Sequence, residues 1–142
     1  MRGRIGTTRM LGGRFVAVSA AGGLLLAALA SAPARAVTTS TVTCAYTIQN
    51  VWLGGFSADI EIANHGPAAV NGWTVRWTFN EYTTEISTWQ SSLSAPDGLH
   101  ATATNASYNG TIPSGYATSF GWTGRSIKAS VPTDLTVNGV AC

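Results

Sequence analysis

Three runs in this chain alternate apolar and polar residues with a period of two, and no window after Ala36 carries a helical apolar stripe. Phe56, Ala58, Ile60 and Ile62 alternate with Ser57, Asp59, Glu61 and Ala63, and Asn64-His65-Gly66-Pro67 ends that run as a turn. Cys44, Tyr46 and Ile48 alternate with Ala45, Thr47 and Gln49. Trp73, Val75, Trp77 and Phe79 alternate with Thr74, Arg76 and Thr78 after the turn signal Asn71-Gly72. Weaker runs follow at Tyr82–Thr88, Leu99–Thr104 and Ala117–Thr123, and Leu135 with Val137 closes the chain. Asp97-Gly98 and Ser114-Gly115 read as turns. Such short strands predict an all-β chain, an antiparallel β-sandwich of immunoglobulin-like or jelly-roll type.

The first 36 residues stand apart. A basic start (Arg2, Arg4, Arg9, Arg14), an apolar run from Phe15 to Ala30 and the exit Ala34-Arg35-Ala36 make a secretory signal peptide. The reading divides the chain into a signal at 1–36, a short Ser/Thr-rich arm at 37–43 and one domain at 44–142. Cleavage after Ala36 leaves 106 residues, enough for a single core. It also leaves three cations (Arg76, Arg125, Lys128) against six acids, a net charge of −3 rather than the +2 of the whole chain. No basic patch then remains to neutralise phosphates or an anionic bilayer surface. A neutral ligand fits better, with neither nucleic acid nor membrane as partner. In a secreted chain, Cys44 and Cys142 pair most simply as one disulfide joining the ends of the domain; two free thiols or two metal ligands are the alternatives. A loop of that length contributes about 4–5 kcal/mol in the chain-entropy model.

The aromatics sort into two sets. Trp73, Trp77 and Trp122 lie within alternating runs and are expected in the core. Trp52, Trp89 and Tyr108 lie where apolar alternation fails, among Gly, Ser, Thr, Asn and Gln. Leu53-Gly54-Gly55 reads as a flexible break that exposes the Trp52 indole. A pyranose presents an apolar C–H face that stacks on such rings, and stiff aromatic side chains lose little entropy in doing so. Asn50, Gln90, Asn105 and Asn109 would serve the hydroxyl rim. The competing readings are isolated surface rings or a protein-interaction patch.

From Cys44 to Cys142 the chain resembles a family 2 carbohydrate-binding module, the bacterial cellulose-binding type. The resemblance rests on Asn50-Val51-Trp52 with Gly54-Gly55-Phe56, Ile62-Ala63-Asn64, Asn71-Gly72-Trp73-Thr74-Val75 with Trp77 and Phe79, and Trp89. It continues through Asn105-Ala106-Ser107-Tyr108-Asn109-Gly110-Thr111-Ile112-Pro113-Ser114-Gly115, Ser119-Phe120-Gly121-Trp122 and Val137-Asn138-Gly139. It implies a sandwich with one flat face on which Trp52, Trp89 and Tyr108 are the platforms, Tyr108 standing where tryptophan is usual. Asn50 matches a polar residue of that face. Asp59, Ser87, Ser119 and Thr123 stand where amide side chains are common. Xylan-binding relatives tend to carry arginine three residues after the first platform; Gly55 here resembles the crystalline-cellulose subtype. The implied partner is insoluble cellulose, with chitin or xylan as alternatives, bound by a monomer without cofactor or metal.

Catalysis is not expected. A glycosidase needs two tuned carboxylates across a cleft, and no pair stands out among Asp59, Glu61, Glu81, Glu85, Asp97 and Asp134. His65 and His100 have no nucleophile elbow to serve. The expected mature start, Val37, lacks the terminal histidine of a copper oxygenase. The N-x-[ST] matches at Asn105 and Asn109 read as turn chemistry.

Overall fold

The computed structural model describes residues 40–142, which belong to one compact unit. The expected signal segment and residues 37–39 of the arm lie outside the described residues. The strands are β1 (Val42–Trp52), β2 (Gly55–Asn64), β3 (Val70–Asn71), β4 (Thr74–Thr78), β5 (Thr84–Trp89) and β6 (Ser91–Ser94), followed by β7 (His100–Asn105), β8 (Thr111–Ile112), β9 (Ala117–Arg125), β10 (Thr136–Val137) and β11 (Val140–Ala141). One sheet has the order β1-β2-β9-β5 and the other β11-β10-β4-β7-β6, with β3 and β8 forming a small separate pair. Every pairing is antiparallel. The all-β, antiparallel architecture agrees with the sequence reading.

The period-two runs explain the layers. Phe56, Ala58, Ile60 and Ile62 of β2, with Phe120 and Trp122 of β9, present one inner face. Val75 and Trp77 of β4 present the other. Their ladder partners on β7, Ala103 and Ala101, are the smallest apolar side chains and leave room for the rings. Trp77 lies 5.0 Å from Trp122 at 32°, and Trp73 stacks on Phe120 at 5.0 Å and 20°. Tyr46 of β1 meets Trp122 edge-on at 5.4 Å, and its burial pushes the phenol pKa upward. All three core-assigned tryptophans are buried, at 2% exposure or less.

Cys44 and Cys142 are joined, 98 residues apart. The bridge ties β1 of the first sheet to the end of the second. Strand β1 begins at Val42, so the ladder with β2 extends two residues ahead of the cysteine. The pair β3–β8 was not legible as strand. Asn71, read as the start of a turn, pairs with Thr111 before Gly72 takes a φ of +80°.

Candidate functional site

The outward face of the β1-β2-β9-β5 sheet is built by two irregularities. Opposite residues in β1 and β2 pair regularly from Val42↔Asn64 to Ile48↔Ala58, and the register then jumps to Asn50↔Ser57. The extra residue, Gln49, is a β-bulge. Side chains alternate strictly along a strand, so one inserted residue reverses the faces beyond it. Before the bulge Cys44 and Tyr46 pack against the core, and Ile48 shares their phase opposite the buried Ala58. After it Asn50 and Trp52, which share their even numbering, pair with the outward positions Ser57 and Gly55. The same device recurs in β5, where the register with β9 shifts between Thr84↔Arg125 and Ser87↔Thr123. Glu85 absorbs the extra residue with a φ of +49°. Ile86 then packs against the core while Ser87 and Trp89 are exposed.

These bulges correct two expectations. Trp52 is not on a flexible break: β1 is continuous through it, and a two-residue turn, Leu53-Gly54, leads directly into β2 with Gly54 at a φ of +79°. Nor does alternation fail at Trp89. It is a regular outward member of β5.

Each indole then sits directly against a glycine of the neighbouring strand. A Cβ on Gly55 would stand 2.5 Å from Nε1 and 2.8 Å from Cε2 of Trp52. A Cβ on Gly121 would stand 2.5 Å from Cε2 and 2.8 Å from Nε1 of Trp89. Both distances are shorter than any side chain can occupy. The two glycines are the ladder partners of the rings they carry, Gly55 of Trp52 and Gly121 of Trp89. Both are buried, whereas the rings stay 49% and 44% exposed on their other side. Gly121 was quoted in the sequence only as part of a motif. Its signal was available, since a lone glycine inside a strand run often marks a close approach.

The ladder also positions the polar residues. Asp59 pairs with Gly121, four residues along β2 from Gly55, so the two glycine beds lie about 14 Å apart by strand geometry. Midway between them one rung runs Asn50–Ser57–Thr123–Ser87 across all four strands. Ser57 was missing from the expected set. On the next outward rung, the Gln49 side chain donates to Asp59 Oδ1 at 2.7 Å, so the bulged residue holds that carboxylate. Ser119 pairs with Glu61, one outward rung beyond the bed of Trp89. Eight of the nine expected ligand residues thus share one sheet face.

Tyr108 is the exception. It sits in the loop between β7 and β8, 74% exposed, with no glycine beneath it. That loop is nevertheless fixed. Asn109 Nδ2 donates to the Gln90 carbonyl at 2.7 Å, beside Trp89, and the Asn109 carbonyl accepts from Trp73 Nε1 at 2.9 Å. Asn105 Oδ1 accepts the Trp73 backbone N–H at 3.1 Å. Asn105 and Asn109 therefore act through turn and loop hydrogen bonds, in line with the turn reading, and their amides are engaged within the protein rather than held at a hydroxyl rim.

The histidines stand elsewhere. His65 is exposed and lies 3.0 Å from Thr43 Oγ1. His100 starts β7 on the outer side of the second sheet, where its Nδ1 meets Asp97. That bond holds the Asp97 carboxyl well below its usual range and raises the His100 pKa.

The family model described as "Cellulose binding domain" matches residues 42–142. Exoglucanase A of Cellulomonas fimi is 36% identical over 116 residues, covering 81% of this chain and 13% of that protein. Chitinase C of Streptomyces lividans is 36% identical over 117 residues, covering 82% of this chain and 18% of that one. The chain thus spans less than a quarter of the length of these relatives. Among solved structures, the chitin-binding domain of Chi18aC from Streptomyces coelicolor superposes with a TM-score of 0.60 at 30% identity, covering 72% of this chain and 94% of that domain. The cellulose-binding family 2 domain of ScLPMO10C gives 0.54 at 33% identity, covering 73% and 99%. With its match running over the whole described domain, this chain belongs to the cellulose binding domain family, family 2 of the carbohydrate-binding modules.

Proposed function

We propose that this chain adsorbs to crystalline cellulose, without catalysing a reaction, through the outer face of the β1-β2-β9-β5 sheet. The observation that carries the reading is the pair of half-exposed indoles seated on Gly55 and Gly121 of one sheet face. Two rings presented side by side on one sheet face suit a ligand that is itself flat. Trp52 and Trp89 are the main platforms and Tyr108 the third. Asn50, Ser87 and Thr123, with Ser57, hydrogen-bond hydroxyls between the platforms, while Asp59 and Ser119 serve beside and beyond Trp89. Secretion fits the disulfide, which persists in oxidising compartments.

Trp52→Ala and Trp89→Ala should each weaken retention on microcrystalline cellulose by about 1–3 kcal/mol, the worth of one stacked ring, and leave the thermal melt nearly unchanged. Parent-like binding by both variants would end this reading.

Chitin is a second reading, favoured by the likeness to a chitinase and to a solved chitin-binding domain. Adsorption measured side by side on cellulose, chitin and xylan separates the two.

A further inference from the structure

The laying of an exposed ring on a glycine occurs a third time, and not at Tyr108. A Cβ on Gly98 would stand 2.6 Å from Cδ2 of Tyr82, whose ring is 65% exposed. The ring is held from both sides of the chain. Thr83, next to it, is buried, donates its N–H to the Gly98 carbonyl at 2.8 Å and turns its hydroxyl back to the Glu81 carbonyl at 2.9 Å. Tyr82 therefore has the geometry of Trp52 and Trp89, a stiff aromatic with one face seated and the other free.

Beside Tyr82 lies an open hollow of about 310 Å³, lined also by Ile127, which is 91% exposed. Arg125, Glu81, Thr84 and Ser126 also line it. An aromatic wall with a few donors and acceptors around it is the common form of a small-ligand site. The hollow continues the flat face. Arg125 and Thr84 lie on the rung of Gly55, under Trp52. Arg125 also lines the adjoining groove with Trp52 and Leu53, where its Nη1 stands 3.5 Å from Glu85 Oε2. The guanidinium thus bridges the Trp52 end of the strip to the Tyr82 hollow.

We propose that Tyr82, Ile127 and Arg125 form an additional sugar subsite for a single solvated β-1,4-linked glycan chain that leaves the flat face past Trp52. A crystal surface cannot follow the turn into a hollow, but a free chain can. The subsite rests on the cellulose reading above and extends it from surfaces to individual chains.

The test titrates the purified full chain with a soluble β-1,4-linked glucose hexasaccharide by calorimetry, and measures adsorption to microcrystalline cellulose in parallel. Tyr82→Ala should lose about tenfold in hexasaccharide affinity, as about 1.4 kcal/mol of stacking requires, and keep adsorption within about twofold. Tyr82→Phe should bind like the parent. Ile127→Ala, at a side chain too exposed to support the fold, should weaken the hexasaccharide in the same direction. Parent-like hexasaccharide affinity in Tyr82→Ala overturns the subsite, as does a parent that adsorbs to cellulose yet ignores the oligosaccharide; both leave the flat strip standing. A parent that binds neither ligand overturns both readings.

Discussion

The indole of Trp122 packs against other rings, whereas that of Trp89 packs against the backbone of Gly121. In the core, Trp73, Trp77, Phe79, Phe120 and Trp122 hold one another through stacked, tilted and edge-on contacts across two sheets, so each ring's position depends on its neighbours. On the outer face each ring is seated alone, by the absence of a side chain beneath it. The first arrangement stabilises the fold by burial; the second leaves half of each ring free. Stability and binding should therefore respond to different substitutions.

The largest expected effect lies on the core side. Trp122→Ala should destabilise by about 3–5 kcal/mol in chemical denaturation, the usual cost of deleting a buried indole. Its remaining folded fraction should adsorb like the parent. A selective loss of adsorption without loss of stability would erase the division between the two sets.

Next come the seats themselves. Gly121→Ala places a methyl where Trp89 lies, and Gly55→Arg does the same to Trp52 with a longer side chain. The Gly121 change should weaken cellulose adsorption by about 1 kcal/mol, near the lower end for one stacked ring. The Gly55 change should shift relative adsorption from cellulose towards xylan. Unaltered preference after both would mean that the seats do not set ring orientation. A smaller effect is expected where there is no seat: Tyr108→Trp should tighten adsorption by a few tenths of a kcal/mol to about 0.5 kcal/mol, through added ring area. A loss there would remove Tyr108 from the platforms.

The smallest effect concerns pH. Asp97 has a depressed carboxyl pKa when folded, so its contribution is present above the unfolded value of about 3.9 and is lost as pH falls. His100 has a raised pKa, so its contribution is full below about 6.5 and lost as pH rises through the folded value. The pair therefore supports the fold most between about pH 4 and 6.5. Both groups are exposed and on the second sheet, so a shallow optimum in melting temperature should appear there with no matching change in cellulose adsorption.

Much of this was readable from the residues. Phe56–Ala63 and Trp73–Phe79 alternate without interruption; β2 and β4 form within them, and Phe56, Ala58, Ile60, Ile62, Trp73, Val75, Trp77 and Phe79 are buried. The division of the tryptophans followed from the same alternation. What escaped was parity. A bulge adds one residue, and nothing in Ile48-Gln49-Asn50 or Glu85-Ile86-Ser87 marks which residue is extra, because the choice is made by the partner strand. Gly121 escaped for a related reason: its role depends on a ring that lies 32 residues away in sequence and directly opposite in the ladder. Tyr82 was counted as an ordinary strand residue, since only tertiary contact brings Gly98 under it.

The bulge at Gln49 makes the end of β1 behave like a reading frame. Were Gln49 paired into the ladder without a bulge, it would face Ser57, and Asn50 and Trp52 would return to the phase of Cys44 and Tyr46, turning the indole towards the interior with every amino acid unchanged. Deleting Gln49 removes the bulge instead and leaves the pairs Asn50↔Ser57 and Trp52↔Gly55, and with them the outward indole, as they are.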